Sequence, residues 1–538
     1  MRRALSAIEL LSSYGWVVWL AVVLLATLYY FGVFEPVLPK VQPCEIPHDR
    51  EWMIIRKTYC DGMDMVISSD VIIDMGGELF LKNSTLTMNA SYDGAIKIEV
   101  KGGGKLFADG SVIKNGENKS AHYLLISNSE SIVKINNSKV YNVGYDAPEI
   151  NSRGLFLMGK EVEIKDTLIE GSYYGILINT TRCKIMNSII PDSFYGVYLD
   201  SASANEIIGN EFRNNQIGIY ASPKSSSNKI SGNQFENSNI SVFVSKSNDN
   251  VITENKMKGS VEFAVYIFKS QRNNVSRNYI NNCSDGLTLS SSDFNSIWDN
   301  SIDNNVNTGL ALDASSSNYV SDNNVSENSQ GIKSHQNENN TFKRNKIIKN
   351  IDGLYLLSSD SNFIINNEIS NNSNGVWVYS SSNNKVISNV LKNNVQGILF
   401  QLCQDNNVSD NSVGYSKFNM VVSSSSNNAF YTNEIYGADT YGAYFDNSSK
   451  NEIVENTFSL NKEGLYLSSS SSNFSYNTIE SNLYNGIYLS RSNSTLQRNK
   501  IVNNTQYGVV CDDSFPSFFA NDITSNSNNC DGCSNCIG

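Results

Sequence analysis

Asp313, Lys333 and His335 are the side chains of this 538-residue sequence whose types and spacing suit acid–base chemistry. Asp313 and His335 each stand four residues after a glycine, Gly309 and Gly331, in consecutive copies of a repeat. Lys333 stands two residues after the second glycine, and Tyr355 holds that plus-two place one copy later. If the copies stack as neighbouring strands, roughly 4.8 Å apart, an acid, two bases and a phenol come within about 5 to 8 Å. Such a set suits a polysaccharide lyase, in which a base removes the proton beside a uronate carboxylate and a cation stabilises the charge that develops. The competing reading is a solvated, salt-bridging patch. Glycosidase chemistry fits less well: its two carboxyl groups stand roughly 5 to 9.5 Å apart, whereas Asp200, Asp313 and Asp446, the acids at the plus-four place, are several copies from one another.

A second constellation is aromatic. The plus-two place is filled by Phe156, Tyr198, Tyr220, Tyr266, Tyr355, Trp377, Tyr444, Tyr466 and Tyr488, and the row breaks at Thr288, Ala311 and Lys333. Rings one strand spacing apart match the step of an extended sugar chain and predict a carbohydrate-binding platform. The alternative is that Tyr and Trp suit exposed strands and stack on one another.

The thiols form a third. Cys511, Cys530, Cys533 and Cys536 are enough for a tetrahedral soft-metal site, but two disulfides account for them equally and are the expectation outside the membrane. Cys44 and Cys60 bracket the start of the repeats, and Cys183, Cys283 and Cys403 are scattered within them. The histidines are His48, His122 and His335. No cofactor is expected: calcium stays open, and copper or zinc is not anticipated.

What positions these residues is the repeat. Glycine recurs about every 22 residues, as in "GLYLLSSDSNFIINN" from Gly353 and "GVWVYSSSNNKVISN" from Gly375, with Asn239, Ala264 and Asn419 standing in for missing copies. The plus-one and plus-three residues are aliphatic, Leu354 and Leu356 or Val376 and Val378, which is the alternation of a short half-buried strand. Asparagine follows at plus-nine, as Asn340, Asn362 and Asn384, and again five residues later, as Asn345, Asn367 and Asn389. Asparagine tolerates left-handed turns, and its amides can pair from copy to copy.

The economical fold is all-β: a single-stranded right-handed parallel β-helix with about 22-residue coils, in which stacking joins apolar faces no single coil could bury. The pattern G-[IVL]-x-[LV]-x-x-S-x-x-N-x-[IV]-x-x-N resembles the repeats of NosD-like and related carbohydrate-binding and sugar-hydrolase proteins of the pectin-lyase fold, over about residues 65 to 525. The resemblance implies the fold and leaves function open, since this scaffold hosts lyases, hydrolases, epimerases, adhesins and binding modules. It also implies an association with copper-enzyme maturation, although the clustered His, Met or Cys of a copper handler is missing apart from the C-terminal thiols.

The amino terminus predicts the compartment. Residues 16–34 carry no charge and span roughly 28 Å as a helix, Arg2 and Arg3 precede them, and Trp16, Trp19, Tyr29 and Tyr30 suit a membrane interface. The expected plan is a short cytoplasmic segment at 1–15, a transmembrane anchor at 16–34, a stalk at 35–64, irregular coils at 65–150, regular coils at 151–525 and a Cys-rich cap at 526–538. Sequons at Asn83, Asn89, Asn179 and Asn339 permit glycosylation. The formal charge is −12 and charged residues are 17% of the chain, which removes the electrostatic basis for nucleic-acid binding. The function expected is non-catalytic binding or organisation of polysaccharide at the cell surface by a membrane-anchored chain, with cell-surface proteins as further partners. Its competitors are the lyase, a structural stalk or adhesin, and a copper-maturation accessory.

Overall fold

The computed structural model describes residues 7–30, 42–47, 50–116 and 120–536. The chain winds as a single right-handed parallel β-helix of about 22 turns. Three parallel sheets run its length. In one coil, Asp352–Leu357 lies in a long sheet, Phe363–Ile365 in a second and Glu368–Ser370 in a third. Each strand pairs with its counterparts in the coils before and after, so Tyr355 stands between Lys333 and Trp377.

Alternation assigns the side chains. Leu354 and Leu356 point inward, where they meet Ile364 and Ile369 from the other two sheets, all four at 0% exposure. Repeated from coil to coil, these residues make one continuous apolar core. The glycine is required by crowding between coils: a Cβ on Gly353 would come 2.6 Å from the carbonyl oxygen of Gly375. Register corrects one reading of the repeat. The residue opposite Gly218 is Ser241, because Ile217 pairs with Ile240 and Ile219 with Val242, so Asn239 is displaced by two places.

The asparagines are buried and laddered. Asn367 Oδ1 accepts from the Asn345 backbone N–H at 2.9 Å and from Asn345 Nδ2 at 3.0 Å, and Asn367 Nδ2 donates to the Phe342 carbonyl at 2.9 Å. The left-handed backbone falls one residue earlier, on Ser361, Asn366 and Asn371, with φ of 56°, 56° and 59°. A third ladder runs through Asn305, Asn328, Asn350, Asn372 and Asn394 before the long-sheet strands. The three free thiols occupy ladder places. Cys183, Cys283 and Cys403 are buried, and their N–H groups donate to Asn205 Oδ1, Asn305 Oδ1 and Ser425 Oγ.

The early coils are longer. Leu79, Leu106, Val133 and Val162 are successive register partners, spaced by 27, 27 and 29 residues. Ladder pairing begins inside the segment read as a stalk, where Gln42 and Pro43 stand against Thr58 and Tyr59. Disulfides join Cys44 to Cys60, Cys511 to Cys533 and Cys530 to Cys536. A helix covers Ala7–Tyr30, and Trp16, Trp19 and Leu20 on it are exposed. Among the described residues no helix is long and apolar enough to cross a membrane. The side chains of residues 28–34, of Arg2 and Arg3, and His48 lie outside the described residues.

Candidate functional site

The outward face of the long sheet holds both constellations. Its plus-two row is continuous in register, and it contains Phe243 between Tyr220 and Tyr266, a ring that the displaced marker at Asn239 hides in the sequence. The row is divided into runs. Phe156 and Leu177 are buried at its start, and Tyr198, Tyr220, Phe243 and Tyr266 follow. Tyr355 and Trp377 form a pair, then Leu399 and Val421 interrupt, and Tyr444, Tyr466 and Tyr488 complete the row.

Within a run the rings cover one another. Tyr355 and Trp377 stack with centroids 4.3 Å apart and planes 24° apart, and Tyr466 and Tyr488 lie at 5.0 Å and 2°. Trp377 Nε1 also donates to Gln401 Oε1 at 2.9 Å. In these two pairs each ring covers a face of its neighbour, whereas Tyr198–Tyr220 and Tyr444–Tyr466 meet at 70° and 57°, and Tyr266 is stacked on Phe263 at 4.7 Å and 16°. Burial pushes the Tyr198 phenol up to about 12 and raises the Tyr355 phenol, the latter with help from the Asp352 carboxylate, so both are hydroxyl donors at neutral pH. In the last run burial also raises the Glu463 carboxyl, against hydrogen bonds from the Asn485 N–H and side-chain amide.

Between Tyr266 and Tyr355 the row drops to Thr288 and Ala311 and then to Lys333, which leaves a polar notch three coils wide. Asp313 and His335 stand beside it in register, and Asp313 Oδ1 lies 2.7 Å from His335 Nδ1. That bond orients the imidazole and leaves Nε2 as its other polar atom. Lys333 shares the strand with His335 and is the register partner of Tyr355. The acid, the two bases and the phenol therefore share one patch. Asp200 and Asp446 lie on distant coils.

Metal ligands are not gathered anywhere comparable. Among the described residues no group of three or more His, Cys, Asp or Glu could hold an ion. Cys511, Cys530, Cys533 and Cys536 are paired as disulfides, so the four-thiol alternative falls away. His122 is bound to Asp93 through Nδ1 at 2.8 Å, on coils far from His335. This donor set does not fit a copper centre.

Known proteins agree with the winding. A profile of the right-handed β-helix region matches residues 122–265 and 175–325, which defines the class. The NosD profile, described as periplasmic copper-binding protein, matches residues 262–416 and 396–535, just over half of the chain. The chain belongs to the NosD family. No curated protein is similar in sequence at a comparable level. Similar solved structures include a double mutant of the periplasmic alginate epimerase AlgG, at 16% identity and a TM-score of 0.35, covering 61% of this chain and 78% of that one. The DFA-IIIase from Arthrobacter chlorophenolicus A6 aligns at 10% identity and 0.32, covering 59% and 84%. The A-module of an Azotobacter vinelandii mannuronan C-5 epimerase aligns at 12% and 0.26, covering 62% and 90%. No residue of this chain takes a role from them.

Proposed function

We propose that the protein is an extracytoplasmic glycan-binding β-helix, tethered to the membrane by its apolar helix and acting without catalysis. The observation that carries the reading is the polar notch on the long sheet, bordered by the ring of Tyr355, whose register partner on the notch side is Lys333. An amphipathic ring face beside an acid, an imidazole and an ammonium is the chemistry that holds a pyranose, apolar face on the ring and hydroxyls on the charges. Exposed apolar side chains on Ala7–Tyr30 support the tether, and three disulfides suit an oxidising compartment. Tested on the full chain in detergent by retention on insoluble polysaccharides and a glycan array, Tyr355→Ala is expected to weaken retention at least tenfold with little change in melting. Retention of the wild-type chain on no glycan would end this reading in favour of a structural stalk or a scaffold for protein partners.

A second reading rests on the short Asp313–His335 contact, which suits a base in a lyase acting on a uronic-acid polymer. In that case unsaturated-uronate absorbance appears with polyuronate substrates and is lost in His335→Ala. The absence of absorbance on every polyuronate tried would remove the lyase.

A further inference from the structure

A separate cleft lies on the second sheet, in the early coils. There the strands Lys57–Asp61, Glu78–Lys82, Lys105–Asp109, Ile132–Asn136 and Glu161–Lys165 have five residues instead of the three found later, so each carries three outward side chains. Period-two alternation sorts these into parallel rows. One row reads Tyr59, Phe80, Phe107, Lys134 and Glu163, and the next Asp61, Lys82, Asp109, Asn136 and Lys165. The space between the two rows is a cleft of about 500 Å³ floored by Leu81 and Ala108. Both rows run on into the shorter strand Lys184–Met186, where Lys184 and Met186 are the register partners of Glu163 and Lys165.

The two walls differ in chemistry. Phe80 and Phe107 stack at 4.6 Å and 14°, with Tyr59 beyond them, and on its far side Phe107 meets Lys134 instead of another ring. The opposite wall and the cleft's end carry Lys82, Lys134 and Lys165 against Asp109, Glu163 and Asp166, so the lining sums to zero charge. Asn136, in the middle of the polar wall, has a buried Oδ1 with no hydrogen-bond partner.

We propose that this cleft binds a neutral oligosaccharide, about four sugar units along the helix axis. Five coils span about 19 Å, the length of such a chain in extended form. Balanced charge disfavours a polyanion, and a peptide strand has no edge to join because these strands are paired on both sides by neighbouring coils. The site lies on a different sheet from the notch and does not depend on it.

The test is isothermal titration of the full chain with cellotetraose, mannotetraose, maltotetraose and tetra-N-acetylchitotetraose, with tetragalacturonate as the charged control. At least one neutral tetrasaccharide is expected to bind saturably, at least tenfold more tightly than tetragalacturonate. Asn136→Leu and, should that variant fold poorly, the exposed Asp109→Ala are expected to weaken it at least tenfold. Binding by none of the neutral sugars overturns the proposal, as does binding that survives both cleft variants. Loss on Trp377→Ala alone places sugar on the long sheet, so the two sites fail separately.

Discussion

Asn367→Ala is expected to remove about 3 to 5 kcal/mol of local stability, whereas Asn366→Ala, one residue away, should cost about 1 kcal/mol. The asymmetry follows from what each side chain does. Asn367 is 1% exposed, and its amide satisfies the Asn345 N–H, the Asn345 Nδ2 and the Phe342 carbonyl. Truncation takes this partner from the Asn345 N–H and the Phe342 carbonyl and leaves Asn345 Nδ2 only its bond to the Val320 carbonyl, beneath a neighbouring coil where an unmade hydrogen bond costs about 1 to 3 kcal/mol and water has little room to replace it. Asn366 is exposed and has φ of 56°, so alanine there meets only the left-handed backbone penalty, and Asn366→Gly should be neutral or slightly stabilising. Guanidinium midpoints of the three variants, with hydrogen exchange across the coils at 331–397, measure the difference. Equal losses at 366 and 367 would show that the amide ladder contributes nothing beyond turn geometry.

That pair of neighbours also shows what a sequence of this kind discloses. The inward Leu354 and Leu356 and the outward Tyr355 follow from alternation alone, and stacking at a fixed period then puts Asp313 against His335, because parallel coils in register leave no other arrangement. The exceptions arise where the period slips. Near Asn239 a coil gains a residue, the glycine is replaced by Ser241, and a count from the wrong marker skips Phe243. The third asparagine ladder carries the same spacing signal as the second, five residues on, and is legible once sought. The second-sheet cleft is different in kind: coils of 27 to 29 residues share no phrase with the regular ones, and strand length sets the width of their face. Nor does composition disclose that Tyr355 and Trp377, or Tyr466 and Tyr488, lie face to face and so cover part of each other's rings.

Replacing Cys511 and Cys533 together by serine is expected to unfold the last coil while leaving the coils before it intact. The strand Asn528–Asp531 is held to the long sheet by Tyr507–Asp512 on one side, and among the described residues nothing pairs with its other edge. Its apolar support is thin: Ile523 is 9% exposed, while Phe515 and Phe519 are 74% and 55% exposed. The Cys511–Cys533 bridge closes 22 residues, a loop for which a crosslink contributes about 3 kcal/mol. A β-helix is a chain of nearest-neighbour interfaces, so that loss falls on the terminal coil and barely moves the main melting transition. Limited proteolysis should then cut between residues 512 and 536. Light scattering should also show concentration-dependent association, because the uncovered strands of the preceding coil offer three parallel edges to a second molecule. If the double variant stays monomeric and resists cleavage, Ile523 and the Cys530–Cys536 bridge hold the coil unaided. If it frays as expected, the rod keeps its end closed only where disulfides persist, which ties its solubility to an oxidising compartment.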